Sequence, residues 1–191
     1  MPREGVFSRV IKGGTVREGD PVEVFPPDPK RAYTAAVITL SDRASSGEYE
    51  DQSGPLIQEF LENQGMVVEE RLLLPDGREA LEKALIRLAD QREISLILTT
   101  GGTGFSERDC TPEATKAVCD REVPGIPEAL RQYSLTITKK AMLSRQTAGM
   151  RKHSLIINLP GSPKACKENL EFLFPELFHG IGILRGTEKE N

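Results

Sequence analysis

The chain has 191 residues, 38% hydrophobic and 28% charged, with no tryptophan and a formal net charge of −4. That size and balance predict one globular domain with a sizeable core plus an appendage. A pI near 5.4 argues against a nucleic-acid partner, and no apolar run reaches the roughly 20 residues of a membrane span.

The N-terminal stretch "GVFSRVIKGGTVREGDPVEVFPP" carries short β-rich runs, a Gly-Gly turn and a Gly-Asp turn. "PPDPKR" follows, with three prolines among six residues, which is linker chemistry. The first 28 residues are too few to bury a core alone. Residues 1–31 are therefore expected to form a separate strip and linker, with Val6, Phe7, Val10 and Ile11 available to dock, and residues 32–191 the main domain.

From Thr34 the pattern alternates. "TAAVITL" (34–40) is a strand, followed by the polar loop "SDRASSGEYEDQS". Leu56, Ile57, Phe60 and Leu61 recur at helical spacing, and "MVVEERLLL" (66–74) is strand-like up to Pro75-Asp76-Gly77. Leu81, Ala84, Leu85 and Leu88 mark an amphipathic helix. "ISLILTT" (94–100) is a buried strand. Helices are expected after Thr111-Pro112 and Ile126-Pro127, and "HSLIINL" (153–159) is a strand that passes through "PGSPKACKENLEFL" into a last helix. Strands separated by helices imply an α/β fold, a three-layer sandwich with a mostly parallel central sheet. No signal-peptide h-region follows Met1. The three cysteines, Cys110, Cys119 and Cys166, lack CxxC spacing and read as reduced thiols, so a cytoplasmic protein is expected. With only two histidines, His153 and His179, a zinc site is not expected.

In parallel sheets ligands collect at the carboxyl ends of the strands. Four strands here end in polar loops: Ser41-Asp42-Arg43, Pro75-Asp76-Gly77, Gly101-Gly102-Thr103-Gly104 with Asp109, and Pro160-Gly161-Ser162-Pro163. Arg43, Arg108 and Lys164 lie in or beside them, so local basicity and free backbone N–H groups favour an anionic ligand. Bland readings compete: glycine after a strand can serve a tight turn alone, Asp76 can be a turn residue, and Asp109 can cap the helix at Thr111. Their coincidence at one rim favours function. Familiar phosphate loops do not match. No Gly-Lys-Ser/Thr occurs, Glu107 stands where a dinucleotide loop wants its third glycine, and Ser106 lacks the closing glycine of a nucleophile elbow.

The set "SDRASSGEYEDQSGP", "LLLPDG", "TTGGTGFSERDCTPEAT" and "LSRQTAGMRKHSLIINLPGSPKA" closely resembles the molybdopterin adenylyltransferases of molybdenum-cofactor biosynthesis, over residues 34 to about 185. "VFSRVIKGGTVREGDPVEV" resembles the tail of a molybdenum-cofactor sulfurase C-terminal (MOSC) domain. It has no cysteine, and no cofactor chemistry is carried over from it. The first resemblance implies a molybdopterin-binding fold that adenylates molybdopterin with ATP and Mg²⁺ and releases pyrophosphate. It implies that Asp76 and Asp109 are the catalytic and Mg²⁺-binding pair. Ser41, Asp42, Thr100, Gly101, Gly102, Thr103, Gly104, Pro160, Gly161 and Ser162 would line the pocket, with the hydroxyls of Thr100 and Thr103 on the phosphates. It also implies a homotrimer and a molybdate-inserting enzyme as partner. A pterin-binding paralogue or carrier without catalysis, and a nucleotide pyrophosphatase of the competence-damage type, are the alternatives.

Overall fold

The computed structural model describes residues 14–15, 17–21 and 33–188. The chain divides into two units, residues 1–31 and 32–191, each taken here by itself. In the first unit the expected Gly-Asp turn is present. Gly19 takes a positive φ of 92°, and the carboxylate of Asp20 accepts from the Arg17 amide at 2.7 Å. Val6, Phe7, Val10, Ile11 and the proline-rich linker lie outside the described residues.

The second unit runs β1 (Thr34–Leu40), α1 (Asp42–Ser45), α2 (Ser53–Asn63), β2 (Val67–Leu74), α3 (Arg78–Asp90), β3 (Leu96–Thr100), α4 (Thr111–Val118), β4 (Arg121–Glu122) and α5 (Gly125–Leu135). A 3₁₀ turn (Lys139–Leu143), β5 (Ala148–Arg151), β6 (Ser154–Leu159) and α6 (Pro163–Leu184) complete it. One six-stranded sheet has the order β2-β1-β3-β6-β5-β4, parallel through its first four strands. The antiparallel edge, β5 and β4, did not emerge from the sequence because two- and four-residue strands carry too few positions for a period to register.

Alternation along the buried strands builds two cores. Ala35, Val37, Leu96, Leu98, Leu155 and Ile157 face one side and pack with Ile57 of α2, Leu130 of α5 and Leu170 and Phe174 of α6. Ala36, Ile38, Leu40, Ile97 and Ile156 face the other, against Leu81, Leu85 and Leu88 of α3 and Ala114 and Val118 of α4. The sheet is therefore the middle layer of three, as the α/β pattern implied. Asn158 is a fully buried polar side chain inside it. Its amide donates to the hydroxyls of Thr99 and Thr115, both at 2.9 Å, and this fixes β6 to β3 and to α4.

Candidate active site

The strand register brings the four loops to one level. Leu40 pairs with Leu74, Thr39 with Thr100, and Thr100 with Leu159, so β1, β2, β3 and β6 all end along a single rim. Ser41 caps α1, its hydroxyl accepting from Ala44 N at 3.1 Å and meeting the Tyr49 hydroxyl at the same distance. Asp42 and Asp76 are locked reciprocally. The Asp42 amide donates to Asp76 Oδ2, the Asp76 amide donates to Asp42 Oδ1, and both bonds are 3.0 Å. Arg108 reaches in from the glycine loop and donates one Nη to Asp42 Oδ1 at 2.8 Å and to the Asp76 carbonyl at 2.7 Å. Three of the four loops thus share one polar knot. Asp42 spends its carboxylate on the Asp76 amide and on Arg108, which makes it the group that orients Asp76.

The glycine loop needs its glycines for reasons internal to the fold. Gly101 has φ +94° and a Cβ there would lie 2.3 Å from the Leu40 carbonyl oxygen; Gly102 has φ +63° and a Cβ there would lie 2.3 Å from Thr111 Oγ1. The buried Thr111 hydroxyl donates to the Gly101 carbonyl at 3.0 Å, and the Thr111 amide donates to that of Gly102 at 3.1 Å, so α4 springs directly from this turn. Among the described residues no acceptor is bonded to the amides of Gly102, Thr103 or Gly104. Both aspartates face this backbone. Asp76 Oδ1 is 3.7 Å from a Cβ built on Gly102, and Asp109 Oδ2 is 2.8 Å from one built on Gly104.

Asp109 does not cap α4. Cys110 holds that position without a side-chain bond, and the Asp109 carboxylate instead accepts from the Ser106 amide at 3.0 Å, closing the loop upon itself. The Thr100 hydroxyl, expected at the phosphates, is buried and donates to the Pro160 carbonyl at 2.7 Å, tying the glycine loop to the β6 loop. Thr103 is also buried and faces a different hollow from Thr100. Gly161 lies against Gly101, 3.4 Å from its Cα to a Cβ built on Gly161. Ser162 precedes α6 without a capping bond and is exposed. His153 holds the Leu184 carbonyl at 3.1 Å, a structural contact away from the rim.

Three hollows border the glycine loop. A cleft of about 200 Å³ runs between Ser41, Tyr49, Asp51, Ser53, Gly101 and Gly161. An open groove of about 560 Å³ is lined by Arg78, Phe105, Asp109, Cys110, Glu113 and Arg145. A more apolar pocket of about 300 Å³ lies behind Thr103 and Gly104, with Arg131, Lys140 and Gln146 on its wall. Asp51 and Arg145 escaped the sequence reading. Asp51 Oδ1 accepts from the amides of Ser53 and Gly54, both at 3.0 Å, and Oδ2 accepts from Thr39 Oγ1 at 2.8 Å. An Asp two residues before a helical Ser-Gly is a capping pattern, and that signal was available. Burial first and the Asp76 carboxylate second push the Cys110 thiol pKa up, which disfavours its thiolate.

Among the described residues, no group of three or more His, Cys, Asp or Glu side chains could hold a metal ion. Of the rim carboxylates, Asp76 and Asp109 lie beside the glycine loop, and two acids suit an ion that would be shared with substrate phosphates rather than a protein cage. No helix among the described residues is long and apolar enough to cross a membrane.

Comparison with known proteins identifies the family. Residues 36–179 match the family described as "Probable molybdopterin binding domain". The molybdopterin adenylyltransferase of Helicobacter pylori strain J99 is 46% identical over 160 residues, covering 79% of this chain and 87% of that one. That of Haemophilus influenzae is 51% identical over 138 residues, covering 71% and 70%. The crystal structure of the molybdopterin biosynthesis enzyme MoaB from Thermus thermophilus superposes with a TM-score of 0.77 at 42% identity, over 81% of this chain and 97% of its own. The family match over residues 36–179, the identity to these relatives and the shared fold make the chain a member of the molybdopterin-binding domain family of molybdenum-cofactor biosynthesis proteins.

Proposed function

We propose that this chain is a molybdopterin adenylyltransferase. A terminal phosphate oxygen of molybdopterin attacks the α-phosphorus of ATP, a new P–O–P bond forms, the bond to the α–β bridging oxygen breaks, and pyrophosphate leaves. The observation that carries the reading is the approach of Asp76 to Gly102 and of Asp109 to Gly104, two positions on one glycine loop, with the amides of residues 102–104 unclaimed among the described residues.

The reaction brings two polyanions together, so the protein's task is to align them and neutralise charge. The amides of residues 102–104, without an acceptor among the described residues, would supply donors for phosphate oxygens. Arg78, paired with Glu82, borders the open groove beside Asp109 through which the leaving pyrophosphate would pass. The carboxylates of Asp76 and Asp109 would hold Mg²⁺ arriving with ATP, which lowers the repulsion between the phosphates when bound. Asp42 and Arg108 keep the Asp76 carboxylate directed at the loop. Ser41 and Gly161 wall the smaller cleft, and the Thr100 hydroxyl sets the distance between the β3 and β6 loops.

The finer expectations are part of the same proposal. The protein acts in the cytoplasm as a homotrimer and hands adenylated pterin to a molybdate-inserting enzyme. Residues 32–191 form the catalytic domain, and the strip before them, MOSC-like in sequence, takes no part in turnover. Incubation with ATP, Mg²⁺ and molybdopterin, read by mass spectrometry, tests the reaction: adenylated pterin and pyrophosphate are expected. Bound but unmodified pterin would make the chain a carrier, and hydrolysis of ATP without pterin would make it a pyrophosphatase. The same assay on a chain lacking residues 1–31 is expected to give an unchanged rate.

A further inference from the structure

We infer that Arg145 is the positioning residue of Asp109, acting through the loop rather than on a substrate; this rests on the adenylyltransferase reading above. Arg145 lies in the segment between the 3₁₀ turn and β5, 36 residues after Asp109. Its amide donates to the Thr103 carbonyl at 3.0 Å, its Nε to the Gly104 carbonyl at 2.7 Å and one Nη to the Asp109 carbonyl at 2.5 Å. The other Nη pairs with the Glu113 carboxylate at the start of α4. One residue therefore holds both ends of the excursion from Gly104 to Asp109, and its planar fork supplies donors in the fixed directions the carbonyls need.

Apart from Arg145, the excursion is tied to the rest of the rim by the exposed Arg108 side chain, through Asp42 and the Asp76 carbonyl, and none of those bonds reaches the Gly104 or Asp109 main chain. Phe105 is 73% exposed, Ser106, Glu107 and Arg108 are exposed, and the Asp109 carboxylate binds only back into the loop, at Ser106 N. The Arg145 segment, by contrast, is anchored. Arg131 donates to the Gln146 carbonyl at 2.8 Å, and the buried Thr147 amide donates to Asn158 Oδ1 within the sheet. Arg145 is thus a strut from the sheet to an otherwise solvent-facing loop. All the guanidinium bonds on that loop go to main-chain carbonyls, so they set where the backbone lies and therefore where the Asp109 carboxylate points. The "LSRQTAG" stretch, part of the family resemblance yet without a place at the rim, acquires a role in this way.

The test compares Arg145→Ala, Arg145→Lys, Asp109→Asn and the double variant Arg145→Ala/Asp109→Asn, in the full chain. Single-turnover adenylation of molybdopterin, KM for ATP and for molybdopterin, and hydrogen exchange at the Ser106 amide are measured. Both Arg145 variants are expected to lose roughly 10²-fold in rate, the scale of an ångström-size misplacement, with each KM within about threefold. Lysine does not rescue, because it lacks the fork. The double variant stays within about threefold of Asp109→Asn alone, since a displaced Asn has little left to lose. Exchange at Ser106 rises at least about tenfold in Arg145→Ala. A normal rate, a raised KM, losses that multiply in the double variant, or unchanged exchange each overturn the inference. Should Arg145→Ala not fold, Arg145→Lys and its double with Asp109→Asn decide by the same criteria. If the unmutated chain makes no adenylated pterin, it is the function that fails, and Ser106 exchange still decides whether Arg145 holds the loop.

Discussion

Gly102→Ala separates a glycine kept for phosphate approach from one kept by the fold. At φ +63° an alanine enters the left-handed region, at a cost of roughly 1–2 kcal/mol. Its Cβ would sit 2.3 Å from Thr111 Oγ1, an atom of a short, buried, β-branched side chain with little room to swing. Moving that hydroxyl breaks its bond to the Gly101 carbonyl, worth about another 1 kcal/mol net. The sum is about 2–3 kcal/mol, which for a domain of this size lowers Tm by roughly 5–10 °C. Urea unfolding with an unchanged m-value and a reduced midpoint is the assay, read beside KM for ATP in the folded fraction. Both effects are expected, because α4 and the loop amides start from the same turn. A midpoint within about 1 °C of the parent, with only KM raised, would refute the steric argument and leave phosphate approach as the sole reason for Gly102.

Asp109→Asn keeps size but removes the charge beside Gly104, so adenylation should fall roughly 10²–10³-fold while molybdopterin binding holds; near-normal turnover would remove Asp109 from the mechanism. Asp76→Asn should behave alike, and the double variant should be little worse than either single if the two serve one nucleotide–metal unit. Asp90→Asn should cost about 1–2 kcal/mol at pH 7, because Asp90 Oδ1 and Oδ2 accept from Arg151 at 2.9 and 2.6 Å. The hydrogen bonds from Arg151, before all else, hold the Asp90 carboxyl below its ordinary value of 3.8. That stability is fully present above pH 4 and is lost as pH falls through the depressed value, so the gap between variant and parent should close in acid. A gap that persists at pH 2 would contradict this. Gly180→Ala should raise stability by roughly 0.5–1 kcal/mol, since Gly180 is an exposed site inside α6 and a Cβ there meets nothing within 4 Å; thermal unfolding checks it.

Much of the fold could be read from local pattern. The apolar run 34–40 is β1 residue for residue, and Leu81, Ala84, Leu85 and Leu88 are the buried stripe of α3, because period and burial are properties of neighbouring residues. The rim was legible for the same reason: parallel strands of similar length end together, so their polar C-terminal loops must meet. Asp76 and Asp109 sit in those loops, each with a carboxylate oxygen near the glycine backbone. Hydrogen-bond partners were a different matter. That Asp42 turns to the Asp76 amide, 34 residues away, and the Thr100 hydroxyl to Pro160, 60 away, follows from register and packing and leaves no periodic trace. The same holds for the close approach of Thr111 to Gly102, which adds a steric reason for glycine at that position. Arg145 is the extreme case. Nothing in "LSRQTAG" distinguishes its arginine from a surface charge, and only the folded sheet, by carrying the segment before β5 alongside the glycine loop, decides that its guanidinium meets the carbonyls of Gly104 and Asp109.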